Sequence, residues 1–317
     1  MNSKLKKTFL VCIVSVLLTE LILRIFWSFG TPALYIEDAD FEYIYAPNQK
    51  IKRFGNNLIT NEFSMRSKPL SDKDNIRILK FGDSVINGGT LTDQDSLAST
   101  LLEDKLNKEY AKNIRVLNIS SGSWGPDNAA AYLKKYGDFN CNMIVLVFSS
   151  HDLYDCMGYE KIVGKNVNYP DKKPFSAIGE VFFRYFLPWA EVKLNMNKLV
   201  YAKLDANQIS TVNVNKNSGW HFFIDYCKQK NISLCVILHP TLNEIYNKKY
   251  DENGQKIIAF LDSTKTAYVL ELNNPINNSM YRDNIHFNNL GQAFLAREEY
   301  PIMKGMIDNY SNASKGN

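Results

Sequence analysis

From residue 76 onward, short apolar runs alternate with segments whose apolar residues recur at helical spacing. The first strand-like runs are "IRILKF", "IRVLNI" and "MIVLVFSS", and the segments between them are "SLASTLLEDKLNKEY" and "PDNAAAYLKKYG". After an irregular stretch at about 153–210, the alternation resumes with "SGWHFFIDYCKQK", "SLCVILHP", "GQKIIAFLDST", "AYVLEL" and "LGQAFLAREEYPIMKGM". Strands that alternate with helices form a parallel sheet covered by helices on both faces, so we predict a three-layer α/β/α fold.

Several of the predicted strands end in polar or small residues. The first strand is followed by Gly82, Asp83 and Ser84, and the third by Ser149, Ser150, His151 and Asp152. The second leads into "NISSGSWGPDN", and the last leads through a short loop into "YRDNIHFNNLG". Ligands of open parallel sheets bind at the carboxyl ends of the strands. We therefore expect these four stretches to face one crevice.

Three residues in these stretches have the chemistry of acyl transfer. Ser84 supplies a hydroxyl, His286 an imidazole suited to proton transfer at neutral pH, and Asp283 a carboxylate that can hold the far ring nitrogen. Backbone amides of the glycine-rich second loop can point at an oxyanion, because small residues allow close approach. Taken alone, each motif also has a structural explanation. A D-x-x-H pattern is typical of a capping aspartate and a surface histidine, and Gly-Asp-Ser is typical of a turn. Their joint placement at strand ends favours a nucleophile, a base and an orienting acid.

Three stretches, "FGDSV", "NISSGSWG" and "DNIHFNNLGQ", occur in this order and resemble sequence blocks of the SGNH (GDSL-like) hydrolases, a family of serine esterases and acyl hydrolases. The resemblance runs from about Arg77 to the end of the closing helix. It implies a flavodoxin-like sheet, Ser84 as nucleophile with its backbone N–H as an oxyanion donor, and Asp283 and His286 as the rest of a triad. Upstream, "TELILR" and "ITNEFSMRS" resemble membrane-anchored members, which are often associated with modification of extracellular polysaccharide or the cell envelope.

The glycine of the second family block has two possible counterparts in this chain. Aligned on Gly125 it corresponds to Ser123, and aligned by residue type it corresponds to Gly122. Because the donor is a backbone amide, the resemblance implies an oxyanion donor at either position.

The third family block ends in Asn-Asp, and its asparagine side chain completes the oxyanion hole. This chain has His151 followed by Asp152 instead. An imidazole N–H can donate as an amide does, so His151 implies a variant hole, a shifted pH optimum or a weakened enzyme. Asn128 is a further candidate donor, whereas Asp83 is predicted to cap the turn that follows it.

The N-terminal segment is apolar and preceded by basic residues. Residues 8–29 form one apolar stretch, and three lysines come before it, Lys4, Lys6 and Lys7. The length suits a single membrane span, and the positive-inside rule places residues 1–7 in the cytoplasm. A cleaved signal peptide is the alternative, but no small-x-small site follows the long apolar stretch. Glu20 and Arg24 can pair across one helical turn, which lowers their cost in lipid. We predict an anchor, with the rest of the chain in the periplasm or at the cell surface.

The remaining chain divides into a stalk, a main domain and a tail. Residues 30–75 are mixed in character and are predicted to form a stalk that packs onto the main domain. The hydrolase-like domain is predicted at 76–310, with an insertion at about 153–210, and a polar tail at 311–317. The insertion contains "IGEVFFRYFLPWAEVKL". That aromatic stretch could form a lid, a wall for an acyl group or sugar, a membrane-facing surface or a simple packing helix.

Composition argues against several classes of function. The net charge of +4 over 317 residues is small, and three of the lysines precede the apolar stretch, so we expect no basic patch for nucleic acid. No Walker-type phosphate loop occurs, and no His, Cys, Asp or Glu group has metal-site spacing, so we expect neither a metal nor a cofactor.

His221 and His239 are predicted to pack within the fold. The five cysteines are predicted to be mostly small buried hydrophobes; an exported location permits disulfides without selecting a pairing.

These features predict an exported, membrane-anchored serine esterase that removes acetyl or other acyl groups from a cell-envelope or extracellular glycan. The predicted site residues are Ser84, Asp283 and His286 for catalysis, and the amides of Ser84, Gly122 or Ser123 with the His151 ring for the oxyanion. The same residues can pass the acyl group to a sugar hydroxyl, so an O-acyltransferase is the nearest variant. A non-catalytic glycan-binding or assembly component of an envelope polysaccharide pathway is the alternative, suggested by the departure at His151. A lipid-directed acyl hydrolase is a third hypothesis.

Overall fold

The computed structural model of this chain describes residues 3–194 and 218–313. The predicted insertion at about 153–210 is therefore described only as far as Leu194. Residues 195–210 of that insertion, and residues 314–317 of the predicted tail, lie outside the described residues.

The described chain begins with α1, Ser3–Trp27, which is the apolar helix that the sequence predicts. Its mean hydropathy is 2.4 over its most apolar window, and none of that window is buried. Among the described residues, α1 is the only helix long and apolar enough to cross a membrane. A signal sequence near an N-terminus has the same properties. Glu20 and Arg24 pair on one face of α1, with 2.7 Å between Oε1 and the guanidinium, as their spacing predicts.

Two antiparallel hairpins follow α1 in the segment predicted as a stalk. They are β1, Tyr35–Asp38, paired with β2, Glu42–Tyr45, and β3, Lys50–Arg53, paired with β4, Asn56–Ile59. The first hairpin contacts the loop after the second sheet strand, because Trp124 Nε1 donates to the Tyr43 carbonyl at 2.9 Å. The sequence does not predict these strands, since four residues are too few to display a clear alternation.

The central sheet is parallel, and within residues 3–194 and 218–313 it has five strands. They are β5, Ile76–Gly82; β6, Ile114–Ser120; β7, Met143–Ser149; β8, Ser233–His239; and β9, Ala267–Leu270. Their order across the sheet is β6-β5-β7-β8-β9. This is the 2-1-3-4-5 order of flavodoxin-like folds, whose switch point lies between β5 and β7. The predicted fold class is therefore confirmed.

Helices cover both faces of the sheet. The helices after α1 in the described residues are α2, Ser84–Asn87; α3, Ala98–Tyr110; α4, Pro126–Tyr136; α5, Ala177–Val181; α6, Leu187–Lys193; α7, Ser218–Lys230; α8, Leu242–Asn247; α9, Glu252–Thr264; and α10, Asn289–Ala313. A π-helical turn, Phe182–Phe186, joins α5 to α6. Short 3-10 turns occur at Gly89–Leu91, Gln94–Ser96, Ser150–Leu153, Glu271–Asn273 and Asn278–Met280. Helices α3 and α10 pack on one face, and α4, α7 and α9 on the other.

Alternate residues of β5 belong to these two cores. Leu79 and Phe81 pack toward α4 and α7, whereas Ile76 and Ile78 pack toward α3 and α10. Lys80 interrupts the apolar run but is fully buried, and its Nζ lies 2.6 Å from Glu299 Oε2 on α10. Such pairing satisfies a buried cation, which explains why a lysine occurs in a core strand.

The cysteines are unpaired in the described structure. Cys141, Cys227 and Cys235 are buried, Cys156 is partly exposed, and Cys12 lies on the exposed surface of α1. Three of the five thus pack as small hydrophobes, as predicted.

Candidate active site

Ser84 lies directly beyond β5, at the switch point of the sheet. A Cβ at Gly82 would lie 2.6 Å from the carbonyl oxygen of Val147 on β7, so only glycine fits at the strand end. Asp83 then turns the chain: its Oδ1 accepts a hydrogen bond from the backbone N–H of Val85 at 2.8 Å and caps α2, the role predicted for it. Ser84 is the first residue of α2 and is half-buried. The turn therefore presents a hydroxyl at the carboxyl edge of the sheet.

Ser84, His286 and Asp283 are hydrogen-bonded in series. His286 Nε2 lies 2.8 Å from Ser84 Oγ, and His286 Nδ1 lies 2.8 Å from Asp283 Oδ2 and 2.9 Å from Oδ1. Because an ionised carboxylate only accepts hydrogen bonds, Nδ1 carries the proton and donates to Asp283. Nε2 is then free to accept from the Ser84 hydroxyl, which is the tautomer that a general base needs. The structure brings together the three residues that the sequence predicts as nucleophile, base and orienting acid.

Backbone donors keep Asp283 ionised. Its Oδ1 accepts hydrogen bonds from the N–H groups of His286 at 2.8 Å and Ile285 at 3.1 Å. Partial burial raises the pKa of Asp283, but these bonds and the His286 ring outweigh it, so the pKa lies below its ordinary value. The Asp283 side chain is 50% exposed. The acid therefore stays charged at neutral pH while the site remains open to solvent on this side.

A buried histidine supports the loop that carries Asp283 and His286. His239, at the end of β8, places Nε2 2.8 Å from the Ile285 carbonyl oxygen and Nδ1 2.7 Å from Glu271 Oε2. Burial lowers the pKa of His239, but the Glu271 charge and these hydrogen bonds raise it by more, so the net shift is upward. The sequence predicts a packed role for His239. The structure adds that the residue positions the backbone immediately before His286.

A buried arginine holds the loop after Ser84. The Arg66 guanidinium donates to the carbonyl oxygens of Asn87, Gly89 and Thr92, at 2.6 Å for the last two. Burial lowers the pKa of Arg66 to about 10, so the group stays charged at neutral pH. Arg66 belongs to "ITNEFSMRS", but the sequence pattern alone does not predict this role because the contacts span 21 to 26 positions.

The loop that carries Gly122 and Ser123 follows β6, the strand beside β5. Asn87 on α2 donates to the Ser120 carbonyl at 2.9 Å and ties the end of β6 to α2. The Gly122 carbonyl accepts a hydrogen bond from the Tyr43 hydroxyl at 2.9 Å. Ser123 has a φ of +55°, in the left-handed region that residues with a Cβ seldom adopt. These contacts fix the loop next to α2, and oxyanion donation from either amide stays a prediction.

Asn128 has a structural role and does not replace the missing asparagine. Its Oδ1 accepts from the Gly125 N–H at 3.0 Å, and its Nδ2 donates to the Phe41 carbonyl at 3.2 Å and to Glu42 Oε2 at 2.7 Å. Since both donors and the acceptor are used, Asn128 has no N–H left for an oxyanion. The expectation that Asn128 could complete the hole is therefore wrong.

His151 lies beside two buried carboxyl groups. It belongs to the 3-10 turn that follows β7, and its side chain is 52% exposed. Nε2 lies 3.4 Å from Asp152 Oδ1 and 4.0 Å from Asp83 Oδ2. This nitrogen therefore faces the acid pair, and oxyanion donation by the ring stays a prediction.

Asp83 and Asp152 are two neighbouring acids that are both buried. Asp152 Oδ2 accepts from the Ser149 N–H at 2.7 Å, whereas Oδ1 has no hydrogen-bond partner among the described residues. Burial raises the pKa of Asp152 well above its ordinary value, and the charge of Asp83 adds to this. Burial raises the pKa of Asp83 too, and the charge of His151 offsets only part of that rise. Neighbouring buried carboxylates do not both ionise readily, so the pair keeps a proton unless a cation compensates.

The same three side chains could hold a cation. One donor atom from each of Asp83, His151 and Asp152 lies within 4.8 Å of the other two. Spacing along the chain does not reveal this group, because Asp83 follows β5 and the other two follow β7. A proton kept by the acid pair also relieves the repulsion between its carboxylates, so the arrangement does not select a metal.

Fold and site together define a three-layer α/β/α protein with a serine, a histidine and an aspartate hydrogen-bonded in series at the switch point of its sheet. No protein-family model matches the chain, and no curated protein matches it. Among solved structures it is similar to TesA, with 16% identity, a TM-score of 0.45, and coverage of 73% of this chain and 99% of that chain.

Two further solved structures are similar to this chain. The acetyl xylan esterase AlAXEase has 13% identity, a TM-score of 0.43, and coverage of 72% of this chain and 99% of that chain. A carbohydrate acetylesterase family member from Sinorhizobium meliloti has 10% identity, a TM-score of 0.39, and coverage of 74% and 99%.

Proposed function

We propose that this chain is a serine esterase acting on acyl esters, with Ser84 as nucleophile, His286 as general base and Asp283 as the acid that orients the base. The observation that supports this most directly is the 2.8 Å contact between Ser84 Oγ and His286 Nε2, continued at 2.8 Å from Nδ1 to Asp283. Acyl transfer by a serine hydroxyl needs these groups in this order.

The first chemical step forms a bond from Ser84 to the acyl group. Ser84 Oγ attacks the ester carbonyl carbon while its proton passes to His286 Nε2, and the carbonyl electron pair moves onto the oxygen. Asp283 stabilises the imidazolium that results. Because Nδ1 already carries its proton, the ring needs no reorientation before it accepts the second one.

The oxyanion of the tetrahedral intermediate requires hydrogen-bond donors. The proposed donors are the backbone N–H of Ser84, the N–H of Gly122 or Ser123, and the ring of His151. One donor of this kind accounts for about two to three orders of magnitude in rate. The identity of the third donor therefore sets how fast the enzyme can be.

Collapse of the intermediate completes the transfer. The bond from carbon to the leaving oxygen breaks, the leaving oxygen takes the proton from His286, and the acyl group remains on Ser84. Water then attacks the acyl group, gives its proton to His286, and the acid departs as Ser84 recovers a proton. A sugar hydroxyl in place of that water would yield an O-acyltransferase with the same residues.

The proposed substrate is an acetyl or other short acyl ester on a glycan. Asp283 and His151 are each about half exposed, at 50% and 52%, so the rim of the site is open. An open rim admits a short acyl group carried on a bulky polymer, whereas a long acyl chain needs an apolar cavity to bury it. This favours the glycan over the lipid-directed alternative.

The proposed location is outside the cytoplasm, with α1 as an uncleaved anchor. The support is the hydropathy of α1, 2.4, together with the lysines that precede the apolar stretch. Positive charge on that side favours a cytoplasmic N-terminus. The remaining chain would then face the periplasm or the cell surface.

A fluorophosphonate probe tests the chemistry. The purified chain should be labelled covalently and should hydrolyse an aryl acetate faster than an aryl octanoate. Ser84→Ala and His286→Ala should abolish both labelling and turnover, while Ser263→Ala on α9, remote in the fold, should not change them. Equal labelling of Ser84→Ala and the native chain would overturn the proposal.

A non-catalytic glycan-binding or assembly role is the second candidate. The observation that favours it is that His151 Nε2, the expected third oxyanion donor, lies 3.4 Å from Asp152 Oδ1 and 4.0 Å from Asp83 Oδ2. This candidate predicts that an acetylated oligosaccharide binds equally to the native chain and to Ser84→Ala, with no turnover by either.

A further inference from the structure

Residues 175–194, called the aromatic segment below, expose large apolar side chains on one continuous stretch. The segment includes α5, the π-helical turn and α6. Its exposed apolar residues are Phe175, Phe182, Phe183, Tyr185, Phe186, Trp189, Val192 and Leu194. Trp189 is 58% exposed and Phe183 is 55% exposed. A water-facing surface seldom concentrates so many large apolar side chains, so such a patch indicates a partner.

The aromatic segment is attached directly to α1. Glu20, within the apolar stretch, accepts hydrogen bonds from the backbone N–H groups of Ala177 at 2.8 Å and Ile178 at 2.9 Å, and from Ser176 Oγ at 3.1 Å. Arg24 adds a hydrogen bond from Nη2 to the Phe175 carbonyl at 3.0 Å. The two charged residues of α1 thus bind the beginning of the segment as well as each other.

A second carboxylate fixes the segment to the chain just beyond α1. Glu180 Oε2 accepts from the Gly30 N–H at 2.6 Å, and the buried Arg53 guanidinium on β3 pairs with the same carboxylate. Phe29 packs edge-on against Tyr185, with ring centroids 5.6 Å apart. With contacts at Glu20 and Glu180, the segment has a fixed position relative to α1.

This attachment sets the depth of the aromatic segment. Glu20 precedes the last residue of α1, Trp27, by seven positions, and a helix rises about 1.5 Å per residue. Ala177, bonded to Glu20, therefore lies roughly 10 Å back along α1 from its end. If α1 spans a membrane whose hydrocarbon core is about 30 Å thick, this is inside the half nearer Trp27. The segment then starts within the apolar layer. Its middle, in contact with Gly30 and Phe29, lies at the level of the Trp27 end, so the exposed rings would meet the boundary between hydrocarbon and headgroups.

We propose that the aromatic segment is a second membrane-binding element, inserted in the leaflet that holds the Trp27 end of α1. Its occupant is the lipid of that leaflet. Aromatic side chains favour the boundary between hydrocarbon and headgroups, and the exposed Lys172, Lys173 and Lys193 flank the rings where lipid phosphates would lie. Insertion also explains why Glu20 can lie in the apolar stretch. The N–H groups of Ala177 and Ile178 donate hydrogen bonds to its carboxylate, which lipid chains cannot do.

A largely apolar pocket of about 340 Å³ lies between the segment and the chain that precedes it, with Lys172, Glu180 and Arg184 also in its lining. Its lining includes Pro32, Pro170, Pro174, Phe175 and Phe183. Two of these, Phe175 and Phe183, are also among the exposed rings. The pocket therefore continues the proposed lipid-facing surface toward the residues after α1.

This inference rests on the anchor in the proposed function but is independent of the proposed chemistry. If insertion holds, the main domain is held by two elements and has a restricted orientation over the membrane. A single flexible anchor would allow it to rotate. The consequence for the proposed esterase is that only glycan near the membrane surface would reach Ser84.

Tryptophan quenching by lipid tests the insertion. The chain has four tryptophans, of which Trp124 and Trp220 are buried in the main domain. Full-length Trp27→Phe therefore reports on Trp189, and full-length Trp189→Phe reports on Trp27. Each variant is placed in nanodiscs of phosphatidylcholine with a minority of phosphatidylglycerol, with and without bromine on the acyl chains. Trp27→Phe/Trp189→Phe provides the background, and circular dichroism checks the fold.

We expect brominated lipid to reduce Trp189 fluorescence to an extent comparable with Trp27, and the double variant to show no reduction. Iodide in the water should quench Trp189 weakly. Quenching of Trp27 alone would overturn the proposal while keeping the anchor, and quenching of neither would overturn both. If Trp189 is protected from iodide only in nanodiscs whose mass shows two copies of the chain, the surface is an interface between copies. That result would also overturn the proposal. None of these outcomes changes labelling of Ser84, so failure here is separate from failure of the esterase chemistry.

Discussion

Ser84 Oγ and His286 Nε2 lie 2.8 Å apart although 202 positions separate these residues in the chain. Ser84 follows β5, in the interior of the sheet, and His286 follows β9, the strand at its edge. The contact depends on a loop that reaches back across the carboxyl edge of the sheet. His239, which is bonded to Glu271, holds that loop through the Ile285 carbonyl. The site is thus sensitive both to the groups that react and to the groups that position them.

Asp283→Asn should lower aryl acetate turnover by about four orders of magnitude, because the amide can stabilise the wrong tautomer of His286. The overall fold should persist, since the Asp283 side chain is half exposed at 50%. Steady-state kinetics with circular dichroism measures both. The matched control is Asp262→Asn, which alters an exposed acid bonded to Tyr268 and should leave turnover unchanged. Turnover of Asp283→Asn close to the native value would show that Asp283 does not orient the base.

Arg66→Lys should reduce both stability and turnover. Lysine cannot reproduce the planar fork that reaches the carbonyl oxygens of Asn87, Gly89 and Thr92. Each buried carbonyl left without a donor costs about 1–3 kcal/mol, so the free energy of unfolding should fall by at least that amount. Urea denaturation and kcat/KM measure the two effects. Arg297→Lys, at a 59% exposed position, is the control and should change neither. A stable Arg66→Lys variant with full activity would remove Arg66 from its supporting role.

The sequence predicts the sheet and its helices well because these elements are long and strongly patterned. The runs at β7 and β8 are continuous and apolar, which is the pattern of strands covered on both faces, and those at β5 and β6 are apolar apart from single polar residues. The hairpins at β1–β4 escape prediction because each strand has only four residues, and the contact of the first hairpin with Trp124 is a tertiary one.

The sequence also predicts which residues gather at the site, but not all of their contacts. Ser84, Asp283 and His286 could be predicted because each follows a strand of a parallel sheet, and such positions converge. The acid pair of Asp83 and Asp152 could not, since each is separately consistent with a turn and the pairing depends on the β5–β7 register. Burial, which decides how these acids titrate, is not visible in the pattern.

Stability should fall as the pH rises through the raised pKa of His239. A histidine whose pKa is higher in the folded than in the unfolded protein binds its proton more tightly when folded. Its contribution is therefore complete below an unfolded pKa of about 6.5 and is lost above the folded pKa. Within that window, one such group changes the free energy of unfolding by up to about 1.4 kcal/mol per pH unit.

The matched control for this pH dependence is the neutral pair His239→Gln/Glu271→Gln. It removes both charges, so a single unpaired Glu271 carboxylate is not left in the core. Urea denaturation from pH 6 to pH 9 should show the native chain losing stability relative to this variant as the pH rises. Parallel curves would mean that His239 does not gain a proton on folding. The same variant should also turn over more slowly, because the Ile285 carbonyl next to His286 loses the His239 ring that positions it.

His151→Asn tests whether the imidazole serves the oxyanion. An asparagine amide can donate and does not titrate, so if the ring is the third donor, this variant should keep or exceed native kcat/KM and should shift its pH profile. His151→Ala, which keeps neither donor, should lose about two to three orders of magnitude. Both variants remove the ring beside Asp83 and Asp152. Because the charge of His151 lowers the pKa of Asp83, its removal lets that pKa rise in both variants. A difference in kcat/KM between them therefore reports on the donor that asparagine keeps and alanine lacks. Equal and native-like profiles for both would exclude His151 from the site, and an equal loss in both would show that it acts by balancing the acid pair.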